Sequence, residues 1–492
     1  MRFTVVGAAT HATSGVVEER EVEPGVFDAA EGPVRAYRRV GERVELRLAI
    51  PFFGWIFALP IRHELRKQLT GDFTGMPWWA PADRLDARAS TVLGALCALS
   101  LFDGYLGTLI TQTLTYVADG FGVESDRSQG VTLAVVRLAI LLALPLAALA
   151  DRKGRRRILL ITLIGGVIGA ALTAAAPSLP WYTAAQTVAR GFSTAIGIAI
   201  LVIAAEEMPA GARAFAVSVT SMSSALGAGV CVWLLPVADL GDDAWRALYV
   251  VPIVGLPLLA AAARHLPETA RYEHRVDVPL RGHGARLGLL ATTAFLGAIF
   301  ATPASQLQNE FLRDEREYSG IAITLFTILT VTPAGLAVLA GGHLAEVRGR
   351  RIIGAVGMAG GAFVIALMYL TSGPLMWVLS LVGTAVAALT VPALRVYGPE
   401  LFPTSLRSGG YGLVTFAGVA GAASGVLLAG VLSDALGGLG NAMLVLCAGP
   451  LIVAVLVLTR FPETAHRELE ELNPEDRAPI APPSPPALHP RP

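Results

Sequence analysis

Apolar residues run through this chain in long blocks, without the regular polar interruptions of a soluble helix or strand. Twelve blocks are long enough for the helix of about 20 residues that crosses a bilayer core. They lie at roughly 90–115, 129–150, 157–176, 181–205, 214–236, 245–264, 287–309, 320–344, 351–371, 374–397, 407–432 and 439–460. Sustained alternation of period two is absent, which argues against a transmembrane β-barrel. The pattern predicts an all-α membrane protein of twelve transmembrane helices, with small residues such as Gly418, Gly421 and Gly425 letting backbones approach.

Polar sequence divides the chain into an N-terminal extension (1–88), a six-helix half (89–264), a linker (265–286), a second six-helix half (287–460) and a tail (461–492). Within the extension, Ile50–Ile61 is apolar but too short to cross, with Arg47 and Arg62 at its edges. It fits either an interfacial helix or the core of a small folded extension. Trp78 and Trp79 read as an interfacial anchor. The tail opens with Glu468, Glu470 and Glu471, then turns Pro-rich (Pro479, Pro482, Pro483, Pro485, Pro486), a composition expected to be disordered.

One signature is written twice, about 195 residues apart. Asp151-Arg152-Lys153-Gly154-Arg155-Arg156-Arg157 has its counterpart in Glu346-Val347-Arg348-Gly349-Arg350-Arg351. Glu206, Pro209 and Arg213 match Glu400, Pro403 and Arg407, and Pro267-Glu268-Thr269-Ala270 matches Pro462-Glu463-Thr464-Ala465. Two parallel repeats of a six-helix unit are the layout of secondary transporters whose halves are related by an axis along the membrane normal.

Net charge is zero, but its placement is uneven. The basic residues of the repeated loops contrast with Asp119, Glu124, Asp126, Asp239, Asp242, Asp243, Glu310, Asp314, Glu315 and Glu317 in the loops of opposite parity. The excess of Lys and Arg places the basic loops and both termini in the cytoplasm, and the expected site is the cell's inner (plasma) membrane. Cys97, Cys231 and Cys447 all fall in apolar runs and read as buried residues, with neither a disulfide framework nor metal spacing. The start lacks the pattern of a cleavable signal peptide.

The duplicated charges suggest gating. Asp151, Arg152, Arg155, Arg156, Glu206, Arg213, Glu346, Arg350, Glu400 and Arg407 all belong at the cytoplasmic level. There, acids can pair with guanidinium groups or with a helix N-terminus and latch the two halves together. The plainer reading is that these charges only set topology; their repetition in both halves favours the latch.

These motifs resemble those of the major facilitator superfamily, in its sugar-porter and metabolite–proton-symporter branch. The loop Asp151–Arg157 is similar to the superfamily's signature between spans 2 and 3, with Ala147 where Gly is usual and Gly342 kept in the second copy. Tyr397–Gly409 resembles the branch's signature at the end of span 10, and Phe102-Asp103-Gly104-Tyr105 resembles the start of the span 1 motif of aromatic-acid symporters. The resemblance covers about 89–466 and implies alternating access with a small-molecule substrate and a proton. The chain departs from the pattern at Leu106, where a second Asp is usual, and at Arg395, where sugar porters carry Trp; Gly227-Ala228-Gly229 also lacks the Pro of drug–proton antiporters.

Charges inside the spans indicate a site. Counted along their helices at 1.5 Å per residue, Asp103, Arg137 and Arg190 lie roughly 21–24 Å above the cytoplasmic ends, near the bilayer centre. Such residues pair or line a wet cavity. Asp103 is expected to pair with Arg137 or Arg190 and to carry the proton, leaving one Arg to attract an anion; the alternative is a structural pair with the other Arg snorkelling. Tyr105, Thr108, Thr111, Gln112, Gln306, Gln308 and Asn309 are candidates to bind the polar parts of a ligand, or to make ordinary interhelical hydrogen bonds.

No Walker-type phosphate loop argues for an ATP-driven pump, and no triad or metal spacing argues for a membrane hydrolase. The expected function is secondary transport of a small organic solute, first an organic anion such as a carboxylate metabolite, in proton symport. Efflux of amphipathic compounds and a transporter-like sensor signalling through its tails are the alternatives. The chain is not expected to be an enzyme or to use a cofactor, metal or nucleic acid, and a monomer in the lipid bilayer is expected.

Overall fold

Each of the twelve apolar blocks forms a helix long enough to cross a membrane. In order, the spans are 1 (Ala87–Gly120), 2 (Val131–Lys153), 3 (Arg155–Ala174), 4 (Leu179–Glu207), 5 (Ala210–Leu240), 6 (Trp245–Arg264), 7 (Leu280–Glu315), 8 (Gly320–Arg348), 9 (Arg350–Leu370), 10 (Gly373–Glu400), 11 (Thr404–Leu436) and 12 (Leu439–Arg460). The computed structural model describes residues 2–6, 34–40, 43–48, 80–83, 85–123, 126–273 and 276–477. Several spans outrun their apolar blocks because polar end residues continue the helix: the Asp86 side chain caps span 1 by accepting the Ala89 N–H at 2.6 Å.

In the extension, strands β1 (Arg2–Val6), β2 (Val34–Val40) and β3 (Arg43–Leu48) form an antiparallel sheet in the order β1-β3-β2. The membrane region remains all-α, as expected. The Ile50–Ile61 segment, the Trp78-Trp79 pair and the Pro-rich stretch from Pro479 lie outside the described residues. The part of the tail before it is not disordered: Leu469–Leu472 is helical, with Leu469 and Leu472 buried.

Glycine lets helices within each half touch backbone to backbone. A Cβ at Gly227 in span 5 would stand 1.8 Å from the Leu101 carbonyl oxygen of span 1. In the second half, a Cβ at Gly421 or Gly425 in span 11 would stand 2.3 Å from the Phe295 or Ile299 carbonyl oxygen of span 7. All three obstructions are backbone, so no side chain can yield. Gly227→Ala and Gly425→Ala should each destabilise the bundle by about 1–3 kcal/mol, the usual cost of overpacking. Thermal unfolding in detergent measures this; unchanged midpoints in both variants would show that the helices separate freely.

Between the halves, span 2 packs on span 11 and span 5 on span 8. Large apolar side chains such as Ile328, Leu427, Val431 and Val455 remain exposed. That apolar exterior suits a multi-pass membrane protein, whose solvent is lipid.

Candidate functional site

A cavity of about 440 Å³ lies where spans 1, 4, 5, 10 and 11 converge. Span 1 contributes Asp103, Gly107 and Thr108; span 4 contributes Arg190, Ser193 and Thr194; spans 10 and 11 contribute Arg395, Tyr411 and Thr415. The Ser193 hydroxyl donates to Asp103 Oδ1 at 2.7 Å. The Arg190 guanidinium donates to the Gly107 carbonyl. A Cβ at Gly107 would come within 3.3 Å of that guanidinium, so glycine leaves it room. Arg395 is exposed in the cavity and makes no hydrogen bond or ion pair among the described residues. Asp103 feels the charge of both Arg190 and Arg395. One carboxylate against two guanidiniums leaves the chamber with surplus positive charge.

Only part of the expected cluster comes together. Asp103 and Arg190 do share a chamber, but no ion pair joins them; Asp103 bonds Ser193 instead. Arg137 lies elsewhere, donating to Gln306 Oε1 at 3.1 Å across the two halves. The Tyr105 hydroxyl turns into the first half and donates to the Leu248 carbonyl at 2.7 Å, so it is not a cavity residue. Gln112, Gln306 and Gln308 are also absent from the cavity wall. Counting residues along a helix estimates depth, whereas the direction of a side chain depends on helix rotation. Ser193, Tyr411 and Thr415 escape the sequence reading, which notes Arg395 only as a departure from the sugar-porter Trp and not as a cavity residue. Arg395 alone carries a signal, a charge within the apolar block of span 10.

At the end of the bundle where the basic loops lie, the duplicated charges meet in two related clusters. Asp151 of span 2 accepts the Ser408 and Gly409 N–H groups at 3.0 and 2.7 Å, at the N-terminal end of span 11. Glu346 of span 8 correspondingly accepts the Ala214 N–H of span 5 at 2.6 Å. Each acid thus caps a helix of the opposite half, where the helix dipole favours negative charge. Glu206 Oε1 is 3.0 Å from Arg155 of its own half and 2.6 Å from Arg407 of the other. Glu400 pairs with Arg350 of its own half and, at 3.4 Å, with Arg213 of the other. The side chains of Arg155, Arg213, Arg350 and Arg407 are wholly buried.

Arg152 and Arg156 fall outside these clusters. Arg152 is exposed, and its carbonyl accepts the Tyr272 hydroxyl at 2.8 Å; Arg156 offers its backbone N–H to Glu268 at 3.2 Å. Glu268 and Glu463 are additions that the repeat had marked without suggesting a role. Glu268 accepts the Arg155 N–H at 2.8 Å and Glu463 the Arg350 N–H at 3.0 Å, capping spans 3 and 9. The preceding Gly154 and Gly349 hold φ of 99° and 93°, which favours glycine. A Cβ at either would also press on the capping carboxylate, at 2.5 and 2.8 Å.

The segment after span 12 crosses this end of the bundle. Glu468 lies 3.2 Å from Arg213, Glu470 2.7 Å from Arg271 and Asp476 3.3 Å from Arg407. Burial opposes the charge on Glu470, but the hydrogen bond and charge of Arg271 outweigh it and hold the carboxyl below its ordinary range.

Comparison with known proteins agrees with this architecture. The chain is 26% identical over 360 residues to a probable 4-methylmuconolactone transporter of Cupriavidus pinatubonensis, covering 69% of this chain and 82% of the relative. A myo-inositol transporter of Cryptococcus neoformans is 28% identical over 173 residues, covering 35% of this chain and 30% of its own length. Among solved structures, the proton:xylose symporter XylE aligns over 78% of this chain and 98% of its own with a TM-score of 0.69 at 16% identity. The human organic anion transporter TETRAN aligns over 75% and 99% with a TM-score of 0.60 at 17% identity. The Major Facilitator Superfamily model matches residues 95–281 and 287–490, one stretch for each half. Because that match takes in both six-helix repeats and the charge clusters between them, the chain belongs to the Major Facilitator Superfamily and is a membrane transporter, not an enzyme.

Proposed function

We propose that this transporter carries a small organic anion by alternating access, in symport with protons, across the plasma membrane. The carrying observation is the pair Arg190 and Arg395 set against the single carboxylate of Asp103 in a chamber between the halves. A chamber of about 440 Å³ suits a small organic solute, and the positive surplus selects an acid over a neutral one. Asp103 is the proton carrier; its bond to Ser193 and its position beside both guanidiniums tie its charge to the occupancy of the site. The duplicated clusters are the latch of the cytoplasmic gate, so the chamber here faces the opposite side, with both termini in the cytoplasm and the monomer as the working unit. The signature Tyr397–Gly409 favours the sugar-porter and metabolite-symporter branch, while Arg395 in place of Trp favours an acid within it. The 4-methylmuconolactone relative and the organic anion transporter among the structural neighbours point the same way.

The test is ligand-induced thermal stabilisation of purified protein against aromatic acids, dicarboxylates, sugars and cationic drugs. Acids should stabilise, and Arg190→Gln or Arg395→Gln should weaken their binding about 10- to 100-fold, the range for one charge-assisted hydrogen bond. Arg137→Gln, outside the chamber, should leave binding within about twofold. Stabilisation by sugars or cations alone would show that the surplus charge is structural.

A further inference from the structure

A second cavity, of about 750 Å³, lies at the basic end of the bundle between the start of span 7, the end of span 12 and the segment that follows it. Its walls are of two kinds. Leu289, Leu401 and Leu456 give an apolar face, and Arg286, Arg460 and Arg467 line the same cavity. These guanidiniums are poorly neutralised. Arg286 donates only to neutral acceptors, the Leu401 and Leu472 carbonyls at 3.1 and 3.3 Å and Asn473 Oδ1 at 2.9 Å. Arg460, the last residue of span 12, is exposed and makes no hydrogen bond or ion pair among the described residues. Arg467 faces one carboxylate, Glu471, at 3.7 Å. Three positive charges against one negative therefore stand where two spans end.

We infer that this cavity binds an anionic phospholipid of the adjoining leaflet. The phosphate sits among the arginines, and an acyl chain follows the leucines between spans 7 and 12 toward the bilayer. Charge complementarity selects the anion. The apolar face, continuous with membrane-spanning helices, selects a lipid over a free phosphate. None of the latch side chains Asp151, Arg155, Glu206, Arg213, Glu346, Arg350, Glu400 and Arg407 lines the cavity. Its occupant nevertheless touches the segment carrying Glu468 and Asp476 to the latch, so a bound lipid would steady the gate from its edge.

Gly288 supplies a clean test, because it lines the cavity and a Cβ built there meets nothing within 4 Å. The full chain, purified and delipidated in detergent, is titrated by native mass spectrometry with phosphatidylglycerol and with phosphatidylcholine of the same acyl chains. Phosphatidylglycerol should bind more tightly by about fivefold for each unneutralised arginine. Arg460→Gln should remove about fivefold of that preference and leave phosphatidylcholine unchanged, and Gly288→Phe should weaken both lipids by filling the cavity. Inorganic phosphate should not displace the lipid. Equal binding of the two lipids would overturn the proposal, as would wild-type phosphatidylglycerol binding in both variants. Full displacement by phosphate would make this a soluble-anion site.

Discussion

Replacing Glu206 with Gln should release the latch and expose the central chamber from the cytoplasmic side. Glu206 stands between Arg155 at 3.0 Å and Arg407 at 2.6 Å, with both guanidiniums wholly buried. Arg155 keeps Asp151 at 3.5 Å and Arg407 keeps Asp476 at 3.3 Å, but both lose their shorter buried partner, and breaking a buried pair costs about 3–5 kcal/mol. Only the latched state bears that cost if opening hydrates the two arginines. A shift of about 3 kcal/mol changes the ratio of the two states by roughly 150-fold. A cysteine placed at Thr415, which lines the chamber, reports the change, since the native Cys97, Cys231 and Cys447 are all buried. Labelling by an impermeant maleimide from the cytoplasmic side should rise steeply in the variant, and labelling from the opposite side should fall. Glu400→Gln, the equivalent change in the second half, should act in the same direction. Arg152→Gln, an exposed position, should change little. Unaltered labelling from both sides in both Glu variants would refute the latch.

The sequence discloses the parts of this machine that depend on composition and spacing. Twelve helices are legible because a span in lipid needs an unbroken apolar run, a local property of the chain. The paired charge clusters are legible because a repeat carries the same charged residues at the same interval, here Asp151 with Glu346 and Glu206 with Glu400. What a linear reading misses is rotation and reach. Arg137 and Arg190 have similar depths, yet one turns to Gln306 and the other to Gly107 in the chamber. Arg395 lies only five residues before Glu400 of the charge clusters, and its exposed side chain reaches the cavity that Asp103 lines. Nor does an acidic run after the last span announce that Glu468 and Asp476 will meet Arg213 and Arg407, since those contacts exist only once both halves are packed.

Asp103→Asn should separate substrate binding from proton coupling. The amide keeps the shape of the carboxyl and can still accept the Ser193 hydroxyl's hydrogen bond, now made to Asp103 Oδ1 at 2.7 Å, so the chamber should keep its form. It cannot take up and release a proton. In liposomes, uptake driven by an imposed pH gradient should fall to the level of protein-free vesicles, while exchange of internal for external solute, which needs no net proton movement, should persist. The charge balance gives a second, independent readout. Without the carboxylate, Arg190 and Arg395 face the chamber with two positive charges and none opposing, so an anionic solute should bind the variant as tightly as the wild type or more tightly. Asp103 acting only to hold the arginines in place predicts the opposite, with binding and exchange lost together. Gradient-driven uptake at the wild-type rate would remove Asp103 from the proton path altogether, and the proton would then have to be carried by the substrate or by a different group.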